Sequence, residues 1–276
     1  MLIEAGGRRL FYSGDIRFHG RKAATVERLI RSPPDSVEVV LLEGTQVGRA
    51  RATQAALSER DVEERARMVF SDAEGLVLCF FSPLNVDRLV SLFRAAKRSG
   101  RTFVYDLYAA SVARATGRKT IPQPGWPEVR VYLTNNERRK VIAGQQFDRV
   151  DAVRSARIYA DELTRERSRL AMLFRGSMAA ELERAGCLEG ARAIWSQWEG
   201  YLDKPAGRRT KAWLDARGIP LEAIHASGHA TVADLQRFAT AFAGSRLVPI
   251  HTAHPERFAE AFGRAEPHAD GEWWDV

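Results

Sequence analysis

The chain has 276 residues, 45% of them hydrophobic and 28% charged, with 21 glycines and 11 prolines, which excludes fibrous and low-complexity classes. Its apolar runs fall well short of the roughly 18 residues of a membrane helix, and no charged-then-apolar leader opens it. Only two cysteines occur, Cys79 and Cys187, far apart and without metal-site spacing, so a cytoplasmic protein with reduced thiols is expected and no membrane association.

Residues 9–12 read as a short strand ending at Ser13-Gly14-Asp15, residues 23–32 as a helix stopped by Pro33-Pro34, and 37–42 as a buried strand ending at Glu43-Gly44-Thr45. From Ser58 the pattern alternates: helix 59–70, strand 76–81, helix 85–99, strand 102–105. Such close alternation implies a parallel sheet with right-handed crossovers. A proline-rich connection at 122–127 precedes a strand at 129–133, and 136–169 is polar and expected to be largely helical. The last block reads as helix 211–217, strand 221–225, helix 231–242 and strand 246–250. Thr231-Val232-Ala233-Asp234 has the spacing of a capping box at the third of these. Trp195, Trp198, Tyr201, Trp273 and Trp274 are read as packing residues rather than base-stacking platforms.

The net charge is +7, carried mostly by arginine. That permits a phosphate-bearing partner and equally fits a solvated basic surface, because the cations are scattered. Six histidines occur, and His225, His229 and His251 fall at strand ends or in the turn before a helix, where ligands bind in open α/β sheets. The segment Ile224 to Ala230 joins a strand to a helix. In it Ser227 supplies a hydroxyl, Gly228 allows close backbone approach, and His225 and His229 can exchange protons. The same loop also reads as a plain helix cap. His251, closing a strand, suits a metal ligand or a hydrogen bond to a neighbouring loop. Asp15 and Glu43 each read as a strand-end carboxylate ligand or a turn-capping acid. Asp15, Glu43, His225 and His251 converge if their strands are parallel neighbours. Ser82 is placed to cap a helix, and Arg88, one turn in, to pair with a carboxylate or a phosphate. His19, His254 and His268 have no suggestive partner. No P-loop, dinucleotide or nucleophile-elbow motif is present.

Ser13-Gly14-Asp15-Ile16-Arg17 with Gly20, Leu42-Glu43-Gly44-Thr45, Ser227-Gly228-His229-Ala230 and Pro249-Ile250-His251-Thr252, in this order, resemble the metallo-β-lactamase-fold hydrolases of the β-CASP group, of the ribonuclease J type. The resemblance implies an α/β fold, a partial αββα sandwich interrupted by an inserted β-CASP-like parallel α/β domain. The sandwich would occupy 1–49 and 206–276, and the insertion 50–205. It implies that Asp15 and His251 are metal ligands, that Glu43 and His229 are catalytic, and that His225, Ser227, Gly228, Ser82 and Arg88 bind phosphate or substrate. The cofactor would be a divalent metal, zinc, with two ions in the complete family site, and the partner a nucleic acid, RNA rather than DNA. The family's H-x-H-x-D-H motif is absent from the chain. The expectation is therefore a truncated ribonuclease J-like nuclease whose sandwich is completed by a missing N-terminal segment or a second chain. The alternatives are a non-catalytic remnant or a nucleic-acid- or partner-binding module, and a nucleotide-binding protein using the turn at 227–231.

Overall fold

The computed structural model describes residues 1–48 and 56–276. The chain divides into two units, Met1–Ser58 with Ala226–Val276, and Glu59–His225. The expected boundary near residue 50 falls within 49–55, outside the described residues. The expected return at 206 is corrected to 226. Helix Pro205–Asp215 places Leu214 in the core of the second unit, and strand Leu221–Ala223 pairs with Arg192–Trp195 in that unit's sheet.

The first unit holds a four-stranded sheet in the order Leu2–Ala5, Arg8–Tyr12, Val39–Glu43, Arg246–Ile250. The first two strands form a hairpin with Ala5 opposite Arg8. Between them Gly6 and Gly7 both sit at positive φ, 56° and 78°, a conformation that glycine reaches without a Cβ penalty and whose twist suits a two-residue turn. Leu2–Ala5 was not among the expected strands. The other three run parallel, with Leu10 beside Val39 and Val39 beside Arg246. Their carboxyl ends therefore meet along one edge. Alternation sends Phe11, Val40, Leu42 and Leu247 to one face, where Leu235 and Phe238 of helix Val232–Ala241 complete the core. Thr231 caps that helix, accepting from the Asp234 N–H at 3.1 Å, as its spacing predicts.

The second unit is a seven-stranded, wholly parallel sheet with helices. Its strand order is Leu221–Ala223, Arg192–Trp195, Val77–Phe80, Leu170–Leu173, Thr102–Asp106, Val129–Tyr132, Arg157–Ile158. The central strands are buried throughout, which is why their sequences are apolar without alternation. Stretch 136–169 is largely helical, as expected, but in short pieces. It breaks into Asn135–Ala143, Phe147–Asp151 and Ala160–Glu166, with the short strand Arg157–Ile158 between them. Strands Leu170–Leu173 and Arg192–Trp195 were also unforeseen, because Leu-Ala-Met-Leu and Arg-Ala-Ile-Trp carry few β-branched residues. Arg101 is buried against carbonyl oxygens of Phe70, Ala73, Gly75 and Leu170, tying a helix end to the sheet. Both cysteines are buried and free, and burial pushes the Cys187 thiol up to about 11. No helix among the described residues is long and apolar enough to cross a membrane.

Candidate metal centre

Two strand ends and the turn before a helix bring three side chains of the first unit together. After Tyr12 the chain turns at Gly14, φ 57°, and presents Asp15. Strand Arg246–Ile250 ends at His251, whose own φ of 48° lies in the left-handed region. A β-carbon is disfavoured there, so the surrounding contacts must hold the residue in place. His229 comes from the turn before helix Val232–Ala241. One ligand atom from each of Asp15, His229 and His251 lies within 4.8 Å of the others. The His251 Nδ1–H donates to Asp15 Oδ1 at 2.8 Å, and the imidazole rings of His229 and His251 meet edge to face, 5.3 Å between centroids.

Glu43 stands behind this cluster. Its side chain is fully buried, and it accepts from the His229 Nδ1–H at 3.1 Å, from the Ile16 N–H at 3.1 Å and from the Thr45 N–H at 3.3 Å. Burial by itself raises its carboxyl. The hydrogen bond and positive charge of His229, with the Thr45 and Ile16 donors, outweigh that and hold it below the usual carboxylate range. In the neutral ring, donation from Nδ1 fixes the His229 tautomer and leaves Nε2 as the lone-pair nitrogen, the carboxylate–histidine arrangement that orients a metal ligand. Gly44 follows because there is no room for more: a Cβ would meet the Phe258 ring at 2.1 Å.

Ser227 braces the turn. Its Oγ accepts from the His229 N–H at 3.1 Å and from Gln46 Nε2 at 3.2 Å, and its carbonyl accepts from His19 Nε2 at 2.8 Å and Arg17 Nη1 at 3.3 Å. Its hydroxyl thus shapes the loop that carries His229. Gly228 is not sterically required: a Cβ there meets open space. His19, set aside on sequence, therefore belongs to the support of this site, as do Thr45 and Gln46. The one trace of His19 in the sequence is its place four residues after Asp15.

The remaining expected residues belong to the second unit. His225 does not join the edge formed by Asp15, Glu43 and His251, because its strand Leu221–Ala223 lies in the seven-stranded sheet. Its Nδ1 is 3.2 Å from Arg88 Nη1. Arg88 is itself fully buried, pairing through Nη2 with Glu59 at 3.1 Å and donating through Nη1 to the Ser196 carbonyl at 2.6 Å. Of its two expected partners it has the carboxylate, and a fully buried guanidinium committed in this way is a structural tie rather than a phosphate ligand. Ser82 is exposed, and its side chain caps no helix among the described residues. Asn85 is the cap of helix Val86–Arg98, its side chain accepting from the Arg88 N–H at 3.1 Å.

No family model matches the chain, and no curated protein does. Among solved structures it is similar to a protein of unknown function from Enterococcus faecalis V583, with a TM-score of 0.74 at 21% identity over 98% of this chain. That likeness shows a shared fold. The chain spans 59% of that structure's length.

Proposed function

We propose that the first unit carries a divalent-metal site and that the protein is a metal-dependent hydrolase of phosphodiester bonds, with RNA as substrate. The observation that carries this reading is the convergence of Asp15, His229 and His251 on one point at the carboxyl edge of three adjacent parallel strands. Two imidazole nitrogens and one carboxylate oxygen form a donor set suited to zinc and its neighbours, and the buried Glu43 supplies the outer carboxylate that such a histidine needs. A bound ion would supply Lewis-acid polarisation of a phosphoryl oxygen. The chain's own part is to orient the ligands: Glu43 and Ser227 fix His229, and Thr45 Oγ1, donating to the His251 carbonyl at 3.2 Å, fixes the strained turn at His251. The residue order and strand-end placement support a metallo-β-lactamase-like unit carrying a β-CASP-like parallel α/β insertion.

One observation favours the non-catalytic alternative. Asp15 and His251 already satisfy each other, and both are more than half exposed. The deciding experiment is a zinc titration of the metal-stripped chain by calorimetry, followed by cleavage of an end-labelled RNA with and without the ion. One ion per chain is expected, with binding weakened at least a hundredfold in Asp15→Asn and His251→Ala and with cleavage that requires the ion. Binding that ignores both substitutions removes the site. Tight binding without cleavage leaves a metal-binding module.

A further inference from the structure

The seven-stranded sheet contains a second place built for a ligand. Strand Thr102–Asp106 leads onward to Val129–Tyr132 on one side, whereas its neighbour Leu170–Leu173 leads to Arg192–Trp195 on the other side, past Val77–Phe80. Right-handed crossovers put these two connections on opposite faces of the sheet. The backbone therefore parts at the carboxyl ends of two adjacent strands, and in open parallel sheets that parting is where ligands bind. A cavity of about 280 Å³ lies there, lined among others by Asp106, Tyr108, Glu137, Lys140, Arg149 and Arg175.

Its charges are unevenly matched. Asp106, only 2% exposed, accepts from the Ala109 N–H at 2.6 Å and from Arg175 Nε at 2.6 Å. The Arg175 guanidinium lies over the Tyr108 ring, 5.6 Å from its centre, and its Nη2 makes no hydrogen bond among the described residues. Arg175 is thus pre-oriented with donors to spare. Arg149 reaches only neutral oxygens, Gln146 Oε1 at 2.8 Å and Ser111 Oγ at 3.1 Å. The Lys140 ammonium has no hydrogen-bond or ion-pair partner among the described residues. The second acid, Glu137, accepts from the Tyr108 N–H at 2.9 Å and the Thr134 N–H at 3.1 Å. Burial, then the neighbouring Asp106, raise its carboxyl above the usual carboxylate range.

We propose that this crevice binds a small phosphate monoester, the phosphate lying among Lys140, Arg149 and Arg175. Of the three cations only Arg175 is paired with a carboxylate, Asp106, while Glu137 is taken up by the Tyr108 and Thr134 N–H donors. Lys140 and Arg149 are left facing the cavity without an acidic partner among the described residues. A monoester, which carries about −1.5 to −2 at neutral pH, matches two such cations. The volume sits at the lower edge of the roughly 300 Å³ at which small-molecule sites begin, which suits a sugar phosphate or a mononucleotide rather than a polymer. Nothing in this depends on the metal site.

The test is calorimetric titration of the intact chain, with chelator present, by ribose 5-phosphate, AMP and inorganic phosphate, using ribose as the uncharged control. Saturable one-to-one binding of an ester is expected, weakened at least tenfold in Lys140→Ala and in Arg175→Gln and unchanged in His229→Ala. Arg175→Gln removes the partner of a buried aspartate. If it fails to fold, Lys140→Ala, an exposed side chain without partners, decides. Absence of saturable binding by both esters, binding of inorganic phosphate alone, or ester binding that Lys140→Ala leaves unchanged overturns the proposal.

Discussion

At Glu43 a single carboxylate ties stability to the proposed metal chemistry. Because its native titration point is held below the usual value of about 4.3, its stabilising contribution is complete above that value. It is lost as pH falls through the lowered native one. Glu43→Gln keeps the shape but removes the charge that holds His229. Chemical denaturation from pH 7 to pH 3 should therefore show the variant less stable than the parent at neutral pH, with the gap closing toward the acid end. A gap that widens on acidification contradicts the assignment. The same substitution should weaken zinc binding by about 10- to 100-fold, the usual effect of losing an outer-shell partner. Asp15, Glu43 and His251 are legible in the sequence because each closes or follows a strand, and parallel neighbours bring such ends together. His229 is legible from the loop before a capped helix and from the family resemblance, whereas the strand-end argument points to His225 in its place. His19 was not legible. Its role rests on a carbonyl 208 positions away, at Ser227, and nothing near it in the chain announces that contact.

At the scale of elements, several ion pairs join helices Glu59–Asp72 and Val86–Arg98: Arg94 and Arg98 make more exposed pairs with Glu63 and Glu64, and the buried pair is Arg88–Glu59. Both side chains are almost completely buried, and Ser91 Oγ adds a 2.6 Å bond to Glu59. Breaking such a pair leaves an uncompensated buried charge and costs about 3–5 kcal/mol, while replacing both partners by apolar residues is often neutral. Arg88→Leu should therefore lower the unfolding free energy in urea by about that amount, and Arg88→Leu with Glu59→Leu should recover most of it. If the double variant is no better than the single, the arginine's bonds to Ser196 matter more than its charge. Helices Leu107–Ala115 and Ala179–Ala185 were not among those expected, whereas Glu59–Asp72, Val86–Arg98 and Val232–Ala241 were readable from their apolar spacing, and strand Val77–Phe80 from its unbroken apolar run. Leu170–Leu173 was not, since leucine, alanine and methionine favour helix as isolated residues. Only its place between Val77–Phe80 and Thr102–Asp106, with every residue buried, makes it a strand. His225 was misplaced for a related reason. Local sequence shows that a strand ends near it, but not which sheet that strand joins.

For the whole molecule, ion pairing leaves the excess of seven positive charges intact, because pairs such as Arg88–Glu59, Arg246–Glu266, Arg237–Glu27 and Arg67–Glu64 cancel one charge of each sign. Of the buried arginines, Arg101 is held by carbonyl oxygens and is withdrawn from the surface. What remains for a phosphate backbone is a scattered set of cations without sequence-reading geometry, so any association with RNA should be governed by counterion release. For single strands the affinity falls with salt with a slope of about −0.7 per phosphate contacted, so about five contacts would cost roughly a hundredfold between 50 and 200 mM salt. Fluorescence anisotropy with a labelled single-stranded RNA, run with chelator to separate binding from cleavage, should show that slope with little dependence on base composition. A flat salt profile would mean that the excess charge does not touch phosphates. The nucleic-acid part of the reading would then fall, while the ligand geometry of Asp15, His229 and His251 stood unchanged.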